Sequence, residues 1–198
     1  MLHRCIRTTI AALAAALLAG CYGEHPKFMS TDITGVPYGK TLDLIGHDGK
    51  PRTLADFRGK IVVLFFGFTQ CPDVCPTTLA DVAQALKSLG RPERVQVLFV
   101  TLDPERDTAA VLAKYVPAFD PEFLGLYGDT EATLRAAKEF KIFFEKRPGS
   151  SPGSYSVDHS AQSYVLDSRG RLRLLVTHGR IGTDLVHDLR ELLRERGG

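Results

Sequence analysis

The sequence predicts an α/β domain with a central mixed sheet flanked by helices. Residues 61–66 are a continuous apolar run and residues 95–100 are apolar except for Gln96, and both read as buried strands covered on both faces. Each is followed by a segment with helical spacing. The chain then closes with a strand pair and an amphipathic helix, and strands alternating with helices in this way are an α/β pattern. No internal repeat marks a second domain.

Taken in order, the chain begins with Arg4 and Arg7 ahead of an apolar run over 10–18. That run falls short of the ~20 residues a membrane span needs. Leu18-Ala19-Gly20-Cys21 follows as a small-residue cleavage site and resembles the bacterial lipobox, in which the cysteine becomes a lipid-modified first residue. Residues 1–20 are therefore expected to be a lipoprotein signal peptide. Cys21 is expected to carry lipid and hold the protein to a membrane, with 21–38 as an aperiodic, polar tether. Residues 39–198 form the expected domain.

Thr41 to Leu44 alternates, and Asp48-Gly49 signals a hairpin before Pro51. The strand over 61–66 runs into Gly67-Phe68-Thr69-Gln70-Cys71-Pro72-Asp73-Val74-Cys75-Pro76. Leu79, Val82, Ala83, Leu86 and Leu89 then mark a helix, with Pro76 expected at its first position and Cys75 as its cap. The second apolar strand ends in Asp103-Pro104-Glu105-Arg106-Asp107, with Asp107 expected to cap a helix stopped by Pro117. A short strand at 123–126 precedes a helix from Thr130. Residues 147–157, rich in Gly, Ser and Pro, are expected to form a mobile loop. Residues 162–166 and 172–176 pair as strands, and Leu185, Val186, Leu189, Leu192 and Leu193 line one face of a final helix.

The chain has 25 Lys and Arg against 23 Asp and Glu. The leader removes Arg4 and Arg7, so the remainder is balanced, which argues against nucleic acid as a partner. Of four cysteines, Cys5 leaves with the leader and Cys21 takes lipid. Cys71 and Cys75 remain as a free pair at a strand-to-helix turn, and such a pair in an α/β unit points to a thioredoxin-like fold. A helix start beside the sulfurs favours thiolate. Thiolates bind soft metals such as Cu(I), or exchange disulfides. Three residues separate the two, one more than in thioredoxins, which leaves room for an ion between the sulfurs.

A third ligand would be imidazole. His25 falls in the tether, His47 beside a turn, and His187 opposite the apolar face of its helix. His159 and His178 remain, and spacing alone puts His159 only slightly ahead. Asp103 and Asp107 follow the second strand, whose end should lie near the cysteines. Turn and cap chemistry accounts for most of Asp107, whereas Asp103 is balanced between a turn role and support of the metal.

Three blocks together resemble the Sco (SenC-like) family: Gly67 to Pro76, Asp103 to Asp107, and Val157-Asp158-His159-Ser160. The similarity runs from about residue 40 to the C-terminus. The resemblance implies a thioredoxin-like fold with an added hairpin, and copper, Cu(I) or Cu(II), held by Cys71, Cys75 and His159. It implies a metallochaperone role toward the dinuclear copper centre of cytochrome c oxidase subunit II, with another periplasmic copper chaperone as a further candidate partner. An oxidase partner implies a periplasm-facing protein on the inner membrane of a bacterial envelope. The alternative is a thiol–disulfide reductase that keeps the oxidase's copper-ligand cysteines reduced. It would use Cys71 and Cys75 as a redox-active disulfide and would need no His159.

Overall fold

The structure is a computed structural model, and it describes residues 26–195. The expected leader, Cys21 and His25 lie outside the described residues. In chain order the strands and helices are β1 (Thr31–Asp32), β2 (Asp43–Gly46), β3 (Pro51–Thr53), β4 (Ile61–Gly67), α1 (Val74–Ser88), β5 (Val95–Thr101), α2 (Ala109–Tyr115), β6 (Leu124–Tyr127) and α3 (Thr130–Glu139). They continue with β7 (Phe144–Pro148), β8 (Tyr155–His159), β9 (Ser163–Leu166), β10 (Leu172–Val176) and α4 (Val186–Arg194).

Eight strands make one mixed sheet in the order β1-β10-β9-β4-β5-β6-β2-β3. The β4, β5 and β6 strands run parallel, and β9 joins β4 antiparallel. All seven residues of β4 are buried, as a strand covered on both faces requires. Successive side chains alternate between those faces. Phe65 looks toward Phe99 at 6.1 Å, whereas Phe66 meets Phe140 at 5.6 Å on the other side. Burying each ring contributes about 1.5–3 kcal/mol. The expected hairpin is β2–β3, and it extends the sheet beyond β6.

The stretch expected as tether is partly built into the sheet. Thr31 and Asp32 pair with Leu175 and Leu174 of β10. The N–H groups of Met29 and Ser30 donate to the carboxylate of Asp188, which is fully buried on α4, at 2.7 and 2.9 Å. The sheet thus includes Thr31 and Asp32, ahead of residue 39.

Two further elements differ from expectation. Helix α1 starts at Val74 with Asp73 at its cap position, so Cys75 lies within the first turn and Pro76 is the third helical residue. Residues 147–157 are not a loop throughout. They contribute to a two-stranded ribbon, β7–β8, that pairs only with itself. Its turn is closed by Gly149 N–H donating to the Ser154 carbonyl and Ser154 N–H to that of Ser151, while Arg147 pairs across the strands with Asp158 at 3.1 Å. Gly149 to Ser154 thus form the turn, whereas Pro148 and Ser156 lie in the flanking strands, which are short and mostly exposed.

Candidate metal centre

The parallel strands β4 and β5 end side by side, and the loop after β4 carries the sulfurs. The Gly67 carbonyl accepts from Leu102 N–H, which fastens the end of β4 to the segment after β5. The loop then turns through Phe68, whose carbonyl accepts from Cys71 N–H. Helix α1 begins three residues later, and Cys75 N–H donates to Cys71 Sγ at 3.4 Å. Cys71 is half-buried and Cys75 is fully buried, and both are free thiols.

His159 reaches this loop from the end of β8. Its Nε2 lies 3.5 Å from Cys75 Sγ. Its Nδ1 lies 2.8 Å from the Ser160 carbonyl, which can only accept, so Nδ1 carries the proton and Nε2 presents its lone pair to the sulfur. The edges of Phe65 and Phe68 stand against the ring at centroid distances of 6.2 and 5.9 Å. The ligand atoms of Cys71, Cys75 and His159 all lie within 4.8 Å of one another, and among the described residues this is the group of metal-ligating side chains so gathered. An ion with bonds of about 2.0–2.3 Å to N and S fits between them after slight closure.

The electrostatics differ from a helix-start thiolate. Burial pushes the Cys75 thiol well above its ordinary range, outweighing the Phe68 N–H bond to the sulfur, and the nearby Cys71 and Asp107 push the same way. Burial lowers the His159 imidazole, so the ring is neutral at neutral pH. A cation entering here must displace a proton from sulfur, whereas the ring is ready to ligate.

The remaining candidates are placed as follows. His178 Nδ1 lies 3.1 Å from the Thr78 hydroxyl, and His47 Nδ1 accepts from Gly125 N–H at 3.0 Å; neither joins the donor group. His187 contacts Asp188. Asp107 does not cap α2, because Thr108 does so by accepting from Val111 N–H. Asp107 is instead fully buried and accepts from Thr69 N–H at 2.9 Å, from the Thr69 hydroxyl and from the Thr101 hydroxyl at 2.6 Å. It ties the cysteine loop to the end of β5. Asp103, also fully buried, accepts from Arg106 Nε and from the Tyr155 hydroxyl at 2.8 Å.

Sequence reasoning assigned no role to Gly67. A Cβ there would lie 2.7 Å from Cys75 Sγ and 2.9 Å from Phe99 Cε2, so only glycine lets the sulfur sit against β4. A glycine ending an otherwise bulky apolar strand was the available signal.

A family model described as SCO1/SenC matches residues 31–194. The mitochondrial SCO2 homolog of Mus musculus is 39% identical over 152 residues, which is 75% of this chain and 60% of the relative. The chain therefore spans less than two thirds of that relative's length. Among solved structures, apo Sco1 from Thermus thermophilus is 43% identical with a TM-score of 0.74, covering 86% of this chain and 99% of that one. ScoI of Bradyrhizobium japonicum, solved with copper bound, is 32% identical with a TM-score of 0.71, covering 80% and 99%. The fold is thus the thioredoxin-like α/β fold expected.

Proposed function

This chain belongs to the SCO1/SenC family, and on that premise we propose that it is a copper metallochaperone for the dinuclear copper centre of cytochrome c oxidase. The observation that carries the reading is the convergence of Cys71 Sγ, Cys75 Sγ and His159 Nε2 within 4.8 Å. Two thiolates and one imidazole suit copper, Cu(I) above all, and such a set leaves the ion coordinatively open to an acceptor's ligands. Copper is cargo in this reading. His159 stands on a ribbon outside the main sheet and is the ligand best placed to let go first, after which the sulfurs hand the ion on by stepwise exchange. The copper-bound Bradyrhizobium relative supports the choice of metal.

The acceptor in this reading is oxidase subunit II, and a second copper chaperone is a candidate donor. The 1–20 leader and lipid on Cys21 would hold the domain on the periplasmic side of the inner membrane. No helix among the described residues is long and apolar enough to cross a membrane.

One observation favours the thiol–disulfide alternative. The two thiols differ in access, with Cys71 half-buried and Cys75 fully buried, an asymmetry suited to an attacking and a resolving sulfur. Complementation of a strain lacking the protein separates the two. Delivery predicts that both Cys71→Ser and His159→Ala fail to restore oxidase. Thiol reduction predicts that His159→Ala succeeds.

A further inference from the structure

The ribbon that presents His159 has no strand pairing with the main sheet. Along β8, Tyr155, Val157 and His159 alternate with the exposed Ser156 and Asp158, so all three face the body of the domain. Val157 is buried in the core and His159 reaches the sulfurs, but the far end of the strand rests on a polar clasp. The Tyr155 hydroxyl donates to Asp103 at 2.8 Å. The Arg106 guanidinium lies 3.6 Å above the centre of the Tyr155 ring. Arg106 Nε donates to Asp103, and Nη1 donates at 3.0 Å both to the Tyr155 carbonyl and to Gln70 Oε1. Gln70 adjoins Cys71. Lys146 of β7 adds a contact with the Tyr155 ring at 4.7 Å and an ion pair with Glu105 at 2.7 Å.

Arg106 therefore touches the cysteine loop, the segment after β5 and the ribbon at once. We propose that Arg106, acting with Tyr155 and Asp103, is a positioning residue that sets the ribbon against the cysteine loop and so brings His159 to the metal. The proposal rests on the three-ligand reading and deepens it by naming what holds the third ligand in place. Tyr155 and His159 are four residues apart, about 13 Å along an extended strand. Freeing Tyr155 lets the strand pivot on Val157 and carries the imidazole away from Cys75.

The clasp also requires arginine rather than any cation. A planar fork can stack on a ring and donate in plane to Asp103, Gln70 and a carbonyl together, which a lysine ammonium cannot do. Arg106→Lys thus keeps the charge beside the buried Asp103 while undoing the geometry. Tyr155→Phe removes only the hydroxyl bond and keeps the stacked ring.

The test is a Cu(I) competition titration, made anaerobically on the reduced full chain in mild detergent. It compares the unaltered protein with Arg106→Lys, Tyr155→Phe, His159→Ala and the Arg106→Lys/His159→Ala pair, each checked for folding by circular dichroism. Arg106→Lys should weaken affinity by roughly tenfold, the scale seen when partners of metal ligands are altered, and Tyr155→Phe by less. In the His159→Ala background Arg106→Lys should have no further effect, because it acts through that ring. The Cu(II) absorption spectrum of Arg106→Lys should shift toward that of His159→Ala. An equal loss from Arg106→Lys in both backgrounds, or none in either folded variant, overturns the proposal. If His159→Ala alone changes nothing, the three-ligand reading fails instead and the clasp falls with it.

Discussion

His159 Nε2 lies 3.5 Å from Cys75 Sγ across 84 residues of chain. The contact joins the first turn of α1 to the end of a ribbon that belongs to no part of the main sheet. It brings a neutral imidazole and a buried sulfur together in a pocket walled by Phe65 and Phe68. Around it stand features with no other evident purpose: a glycine where β4 meets the sulfur, a buried carboxylate under the loop, and the Arg106 clasp.

Gly67→Ala tests the first of these. Its methyl would meet Cys75 Sγ at 2.7 Å and Phe99 at 2.9 Å, with Phe65 at 3.0 Å, so sulfur or rings must move. Overpacking of this kind costs about 1–3 kcal/mol. Denaturant unfolding of the metal-free protein should show that loss, and copper affinity should fall because Cys75 is displaced. Unchanged copper affinity would mean that the sulfur has room to spare.

Asp107→Asn addresses the loop from beneath. The carboxylate accepts from Thr69 N–H, the Thr69 hydroxyl and the Thr101 hydroxyl. An amide of the same shape turns an NH2 toward donors and leaves at least one unmet, at about 1–3 kcal/mol. Amide hydrogen exchange should quicken at Thr69 and Cys71 before it does in β4. A uniform change across the domain would contradict a local role in holding the loop.

The pH dependence of copper binding follows from two shifts of opposite kind. Burial raises the Cys75 thiol, so the ion must displace its proton, and binding should tighten as pH rises between about 6 and 8. Burial lowers His159, so only below its depressed pKa does imidazolium add a further loss. For folding the sign is likewise set: below the ordinary imidazole pKa the unfolded chain binds more protons at this ring, so stability falls as pH drops from that ordinary range toward the depressed value. Titrations at several pH values should release protons to the buffer. A flat profile would mean that Cys75 is already ionised in the free protein.

Much of this was legible in the residues. The continuous apolar run of β4 and the helical spacing after Cys75 located the sulfur pair at a strand-to-helix turn. His159 stood only slightly ahead of His178, because its approach depends on a ribbon whose Gly149 to Gly153 turn dominates the local composition. His178 proves to face Thr78 instead. Asp107 and Thr108 are adjacent and can both cap a helix, so spacing could not show that the carboxylate turns inward. The strand at Thr31–Asp32 is two residues long and has no periodicity, and its N–H anchors at Met29 and Ser30 reach an acid about 160 residues away in sequence.

The central claim is a copper site of two sulfurs and one imidazole. It is tested most directly by anaerobic Cu(I) competition on the reduced protein beside His159→Ala. The account predicts one tightly bound equivalent, weakened in the variant by more than about tenfold, with little change in folding stability; even partners outside a ligand set act on that scale. Weak binding that is indifferent to His159 would contradict it and shift the working model to exchange chemistry at Cys71 and Cys75.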